Sequence, residues 1–150
     1  MLPSISYEPC SLSPQAEHKL RVLNHNPKST RGTKVLIIDD DQDLCLGLRI
    51  RLQRNYETYC ANDAGAGLSI AFSKMPDVII LDIGLPDYDG YFLMKSLSEI
   101  RGLAGVPVIV LTARDRCNHE RRCYDAGAKI FLQKPIDNRS LLAAIEQLVG

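Results

Sequence analysis

From Lys34 onward, short unbroken runs of aliphatic residues alternate with longer stretches in which apolar residues return every three or four positions. An unbroken apolar run is what a strand covered on both faces requires, and the intervening helical period makes each run one half of a βαβ unit. The pattern predicts strands at 34–39, 56–60, 78–82, 107–112 and 129–133, with helices between them. The first helix, 42–54, lines up Leu44, Leu48 and Leu52 and leaves Arg49, Arg51 and Arg54 off that stripe; the last, 138–149, repeats Leu141, Ile145 and Leu148. Gly127, after Cys123-Tyr124-Asp125-Ala126, reads as the glycine that ends a helix and turns the chain into the fifth strand. The fold class is α/β: a doubly wound, five-stranded parallel sheet with helices on both faces.

Residues 1–33 break this pattern. They hold four prolines (Pro3, Pro9, Pro14, Pro27) and five serines (Ser4, Ser6, Ser11, Ser13, Ser29), a composition that builds no packed core, and they read as a flexible N-terminal extension. Within it Ser13 suits a helix cap, Pro14 the first helical position, and Ala16, Leu20 and Leu23 share a face. That outlines a short helix near 14–24, either docked on a partner or lying in a solvated arm. Residues 34–150 form the one folded domain.

Composition narrows the function classes. Lys plus Arg equals Asp plus Glu, 18 against 18, so the chain has no basic field to draw it to nucleic acid or anionic lipid, and direct nucleic acid binding is not expected. Cysteines at 10, 45, 60, 117 and 123 form no CxxC pair and no framework, which favours a reduced, cytoplasmic setting and plain thiol packing. Neither an export leader nor an apolar stretch of about 18 residues is present, so no membrane span is expected.

The candidate chemistry lies where the apolar runs stop. Asp39 and Asp40 close Val35-Leu36-Ile37-Ile38, and Asp82 closes Val78-Ile79-Ile80-Leu81. In neighbouring parallel strands these acids meet in the crevice at the carboxyl ends, where such sheets hold ligands. Each like-charge pair about 5 Å apart costs roughly 3 kcal/mol at an effective dielectric of ~20, a cost that a divalent cation offsets. Asp41 and Asp43 also suit the start of a helix, where acids complement the dipole. A calcium loop over Asp39-x-Asp41-x-Asp43 is excluded by Leu44 and Ile50 at the positions that need glycine and glutamate. Asp82 leads into Ile83-Gly84-Leu85-Pro86-Asp87-Tyr88-Asp89-Gly90, a proline-stiffened loop with fixed carbonyls. Asp40, Asp82 and the Gly84 carbonyl suit magnesium, which takes few protein oxygens and fills its octahedron with water or phosphate. Strand four delivers Thr112 to the same edge, with small Ala113 beside it, and strand five delivers Lys134 ahead of Pro135, a site for a cis peptide.

The set IIDDD, VIILDIGLPDYDG, VIVLTA and FLQKP resembles the receiver domain of two-component response regulators, over residues 34–150. The sheet order 2-1-3-4-5 comes with that resemblance and not from the pattern. It implies a phosphoprotein of phosphorelay signal transduction. Asp82 is then the phosphoacceptor, taking a phosphoryl group from a sensor histidine kinase, a phosphotransfer protein or a small acyl phosphate. The implied cofactor is Mg²⁺, held by Asp39, Asp40, Asp82 and the Gly84 carbonyl, with Lys134 and Thr112 as the other catalytic groups. Thr112 and Phe131 form the switch: the hydroxyl moves toward the phosphoryl group and the ring turns inward, changing the face of the fourth helix, fifth strand and fifth helix. Phe131 stands where tyrosine is frequent, so no ring hydroxyl serves a partner. Gly84 and Arg114 sit where they tune the lifetime of the phosphoryl group.

The resemblance leaves the output open. A stand-alone receiver, a relay shuttle, the front part of a longer regulator and a homodimer all fit, and the fifth helix lacks the dense arginines of salt-bridged dimers. Two rivals belong to other classes: a haloacid dehalogenase-type phosphohydrolase with Asp39 as nucleophile, which wants threonine or valine where Asp43 stands and also a cap, and a degenerate receiver that binds partners without phosphorylation.

Overall fold

A computed structural model describes residues 32–149. The helix outlined near 14–24 lies outside the described residues. Five strands, β1 (Lys34–Ile38), β2 (Glu57–Ala61), β3 (Val78–Leu81), β4 (Val108–Thr112) and β5 (Ile130–Gln133), alternate with α1 (Gln42–Leu52), α2 (Ala64–Lys74), α3 (Gly90–Glu99), α4 (Arg116–Asp125) and α5 (Asn138–Val149). All strand pairs are parallel and the sheet order is β2-β1-β3-β4-β5.

Successive strand residues point to opposite faces, so each apolar run supplies two cores. Leu36, Ile38, Ile79, Leu81, Val110 and Phe131 pack with α2, α3 and α4 on one face. Val35, Ile37, Val78, Ile80, Ile109 and Leu111 pack with Leu48 and Leu52 of α1 and with Leu141 and Ile145 of α5 on the other. Every residue of β3 and β4 is buried, which is why those runs carry no polar alternation.

Each helix starts on an aspartate. Asp41, Asp63, Asp89 and Asp115 accept backbone N–H groups of the first turns of α1 to α4, and Asp137 accepts from Ser140 N at α5. The structural reading of Asp41 is therefore the observed one. The first helix stops at Leu52, two residues short of the expected end, because Asn55 N and Tyr56 N both turn back to the Leu52 carbonyl. Gly127 has φ +107, and Ala128 N and Gly127 N bond back to Cys123 O and Tyr124 O, closing α4 as expected. The Lys134–Pro135 peptide is cis.

Gly90 begins α3 directly over the loop after β3. A Cβ there would lie 2.4 Å from Ile83 Cα, a backbone atom that cannot step aside. Gly90→Ala is expected to destabilise the fold by about 2 kcal/mol, the usual range for overpacking. An unchanged urea midpoint would contradict the close approach.

Candidate functional site

Register explains why the acids meet. Ile38 of β1 pairs with Leu81 of β3, so the next residues, Asp39 and Asp82, leave the sheet side by side. Asp39 N bonds to Ala61 O and Asp82 N to Ile38 O, both at 3.0 Å, which holds the two backbones in line at the crevice. On the other side of β3, Lys134 N bonds to Thr112 O at 2.8 Å and carries the sheet ladder one residue past β5. Asp39 and Asp82 are 3% and 8% exposed and Thr112 is fully buried, whereas Asp40 is exposed. One carboxylate oxygen from each of Asp39, Asp40 and Asp82 lies within 4.8 Å of the others.

The pocket has its own cation. Lys134 Nζ reaches back across β4 and β3 to donate to Asp39 Oδ2 at 2.7 Å and Asp82 Oδ2 at 2.9 Å. The repulsion expected of three empty carboxylates is thus partly offset by the chain itself, before any metal arrives. The second oxygens are taken by backbone donors, Asp41 N on Asp39 Oδ1 at 2.9 Å and Gly84 N on Asp82 Oδ1 at 2.8 Å. Asp40 accepts no hydrogen bond among the described residues and is the acid left for solvent or metal.

Burial raises the Asp39 carboxyl above its ordinary pKa, with the Asp82 charge adding to the rise and the Lys134 and Asp41 hydrogen bonds opposing it. Burial would lower the Lys134 ammonium, but its bonds to Asp39 and Asp82 outweigh that and raise its pKa.

Around this centre, Thr112 Oγ1 accepts from Arg114 N at 3.3 Å. The Phe131 ring is already inside, 2% exposed, with the Arg116 guanidinium 5.4 Å from its centroid and its backbone N–H donating to the Tyr124 hydroxyl at 3.3 Å. Inward movement of the ring is therefore not a step still to be taken from this conformation. A Cβ on Gly84 would lie 3.2 Å from Asp82 Oδ1 and 3.5 Å from Arg114 Nε, so a side chain there would fill the space between the acid and the Arg114 side chain.

Sequence reasoning missed two features of the helices. Leu46 and Ile50, one turn apart on α1, are 56% and 54% exposed, an outward apolar pair beyond the stripe that seats the helix. Tyr91 and His119 join α3 to α4 through a 2.7 Å hydrogen bond, with Arg122 3.9 Å above the Tyr91 ring. The exposed pair was readable as apolar residues off the buried stripe; the Tyr91–His119 contact joins two helices and leaves no local signal.

Comparison with known proteins agrees with this geometry. The family model of the response regulator receiver domain matches residues 35–146. The chain belongs to that family. It is 38% identical over 118 residues to the transcriptional regulatory protein KdpE from two strains of Mycobacterium tuberculosis, covering 78% of this chain and 51% of KdpE. The chain thus spans about half the length of the curated relatives it matches. Among solved structures, the Vibrio cholerae chemotaxis protein CheY4 superposes with a TM-score of 0.74 at 26% identity, over 78% of this chain and 98% of that one. A CheY-like receiver domain protein from Methanospirillum hungatei gives a TM-score of 0.72 at 28% identity, over 77% and 92%. This receiver is a phosphoacceptor signalling domain of the two-component type, with the acidic pocket in place, and is a regulatory module and not a conventional enzyme. Among the described residues no helix is long and apolar enough to cross a membrane.

Proposed function

We propose that Asp82 takes the phosphoryl group, from a sensor histidine kinase, a phosphotransfer protein or a small acyl phosphate. The supporting observation is the meeting of Asp39, Asp82 and Lys134 at two hydrogen-bond distances. In the transfer, a carboxylate oxygen of Asp82 forms the new bond to phosphorus as the donor's bond breaks, and positioning with charge neutralisation does most of the catalysis. Lys134, already on Asp82, follows the charge onto an equatorial oxygen of the phosphoryl group. Thr112 supplies a hydroxyl to another.

The donor set fits Mg²⁺: clustered hard oxygens with one acid, Asp40, left unpaired and exposed. Asp39, Asp40, Asp82 and the Gly84 carbonyl would hold it. When bound, the ion neutralises charge on the donor and acceptor oxygens. Two predictions follow from the electrostatics. Asp40→Asn should raise the melting temperature in metal-free buffer, because a third negative charge leaves a pocket with one lysine, and should weaken Mg²⁺ binding; a lower melting temperature would count against a shared pocket. Because Asp39 binds protons more readily than an ordinary aspartate, Mg²⁺ affinity should begin to fall at a higher pH than a normal carboxylate would impose. Calorimetric titration across the acid range checks this, and flat affinity down to the ordinary aspartate pKa would refute it.

The output is carried by the face of α4, β5 and α5, with Thr112 and the buried Phe131 connecting it to the phosphoryl site. A phosphoryl group adds about −1.5 to −2 charge, enough to bias a bistable element whose states differ by a few kcal/mol. Residues 34–150 act as the receiver and 1–33 as an extension; in a longer regulator like the relative KdpE, the controlled effector would be a transcription factor domain. The setting is cytoplasmic, where kinase and Mg²⁺ are available. Incubation with Mg²⁺ and acetyl phosphate should add one phosphoryl group to the intact mass. Steady phosphate release that depends on Asp39 would instead favour the phosphohydrolase, and neither label nor turnover a phosphorylation-independent binding module.

A further inference from the structure

The acidic pocket rests on a thiol. Cys45, on α1 and 2% exposed, donates its S–H to the Asp39 carbonyl at 3.4 Å. Asn62 Nδ2 reaches the same carbonyl at 3.0 Å and Cys45 Sγ at 3.6 Å, so one small polar knot holds the backbone of the first acid. Cys60 joins this knot from the next strand. It stands on β2 level with Ile37 of β1, half-buried, and donates its S–H to the Cys45 carbonyl at 3.5 Å. The other described cysteines take no part: Cys123 is buried on the opposite face of the sheet and Cys117 is exposed on α4.

Packing alone explains Cys45, a small buried residue. It also seats Cys60 at the edge of the same core, but it does not by itself call for a Cys60 sulfur set against the backbone of Cys45, whose own thiol holds the Asp39 carbonyl. We propose that Cys45 and Cys60 form an oxidisable dithiol, a modification site that a hydroperoxide closes to a disulfide and whose closure loosens the acidic pocket's grip on a divalent cation.

The chemistry balances with the peroxide as oxidant. The Cys60 thiolate attacks one peroxide oxygen; the S–O bond forms, the O–O bond breaks, and the departing hydroxide is protonated to water. The Cys45 sulfur then attacks the Cys60 sulfur of that sulfenic acid; the S–S bond forms, the S–O bond breaks, and the Cys45 proton leaves with the oxygen as a second water. Two thiols lose two electrons and the peroxide gains them. Cys60 is the entry point because it is the more accessible sulfur, and its thiol is held below its ordinary pKa by the neighbouring Cys45, with burial opposing and the Arg49 charge assisting. Closure removes the S–H donor from the Asp39 carbonyl and ties α1 to β2, shifting the support under Asp39 and Asp40. A dithiol reductant restores both.

The effect on the cation rests on the assignment of Asp39 to the metal site, whereas the cross-link itself does not. The test is to treat the reduced full chain with hydrogen peroxide, block the remaining thiols by alkylation, and map the peptides by mass. The expected product carries a Cys45–Cys60 link, loses it on reduction, and does not form in Cys60→Ser. Mg²⁺ affinity of the oxidised protein, by calorimetry, should fall about tenfold, the scale of outer-sphere changes at metal sites, and peroxide should leave the affinity of Cys60→Ser unchanged. Absence of that link in the folded protein, or links to Cys117 or Cys123 in its place, overturns the site. A link with unchanged Mg²⁺ affinity overturns the coupling. If the reduced protein binds no Mg²⁺, the metal assignment and the coupling fall together, and the cross-link alone decides the thiol site.

Discussion

Asp82→Asn is expected to abolish covalent phosphorylation while leaving the fold intact. The amide matches the carboxylate in shape and can still accept the Gly84 N–H, which now meets Asp82 Oδ1 at 2.8 Å. It offers no anionic oxygen to phosphorus, so nucleophilic attack is lost and not merely slowed. The substitution also removes one of two carboxylates bonded to Lys134, which relieves repulsion with Asp39 and Asp40, so stability in metal-free buffer should hold or rise. Intact mass after acetyl phosphate and Mg²⁺ reads the first effect and a thermal melt the second. A variant that labels like the wild type would move the acceptor elsewhere, and one that unfolds would assign Asp82 a structural role.

Lys134→Ala should be the most destabilising change in the pocket. It removes the ammonium from Asp39 Oδ2 and Asp82 Oδ2 and leaves two nearly buried carboxylates facing each other. Breaking a buried pair costs about 3 to 5 kcal/mol, and the lower end applies because the lysine side chain is 19% exposed. The pH dependence has a definite sign. The raised Lys134 pKa means that its stabilisation is complete below the unfolded lysine value and is lost as pH climbs through the folded value. The raised Asp39 pKa means that its ionised form subtracts from stability at neutral pH and that this cost disappears as pH falls through the folded value toward the unfolded one. Without Lys134 the Asp39 value rises further, so mild acid or added Mg²⁺ should restore much of the variant's stability. Urea titration at neutral pH with a chelator, then with Mg²⁺, checks both parts. Labelling should persist while the change at the α4–β5–α5 face no longer follows it. A midpoint equal to the wild type would contradict the bridging role.

The strands were legible to within one residue because buried parallel strands need unbroken apolar runs, and Val78–Leu81 is as plain in sequence as in the sheet. The first helix was overdrawn because Gln53 and Arg54 continue a polar face that the backbone leaves at Leu52. The meeting of Asp39 with Asp82 was readable from two strand ends, but only the strand order decides that Lys134 can reach them, and that order came with the family resemblance. What Lys134 does there, bridging both acids, depends on the reach of a long side chain across two strands. The buried Phe131 ring depends on side-chain packing with α4, which no spacing records.

The claim that Asp82 is the acceptor is tested most directly by trapping the product. Protein treated with acetyl phosphate and Mg²⁺ is reduced with borohydride, which converts an aspartyl phosphate to homoserine, and the modified residue is located by peptide mass. Homoserine at position 82 alone is the predicted result. Homoserine at position 39, or at neither position in a protein that gained a phosphoryl group, would contradict it.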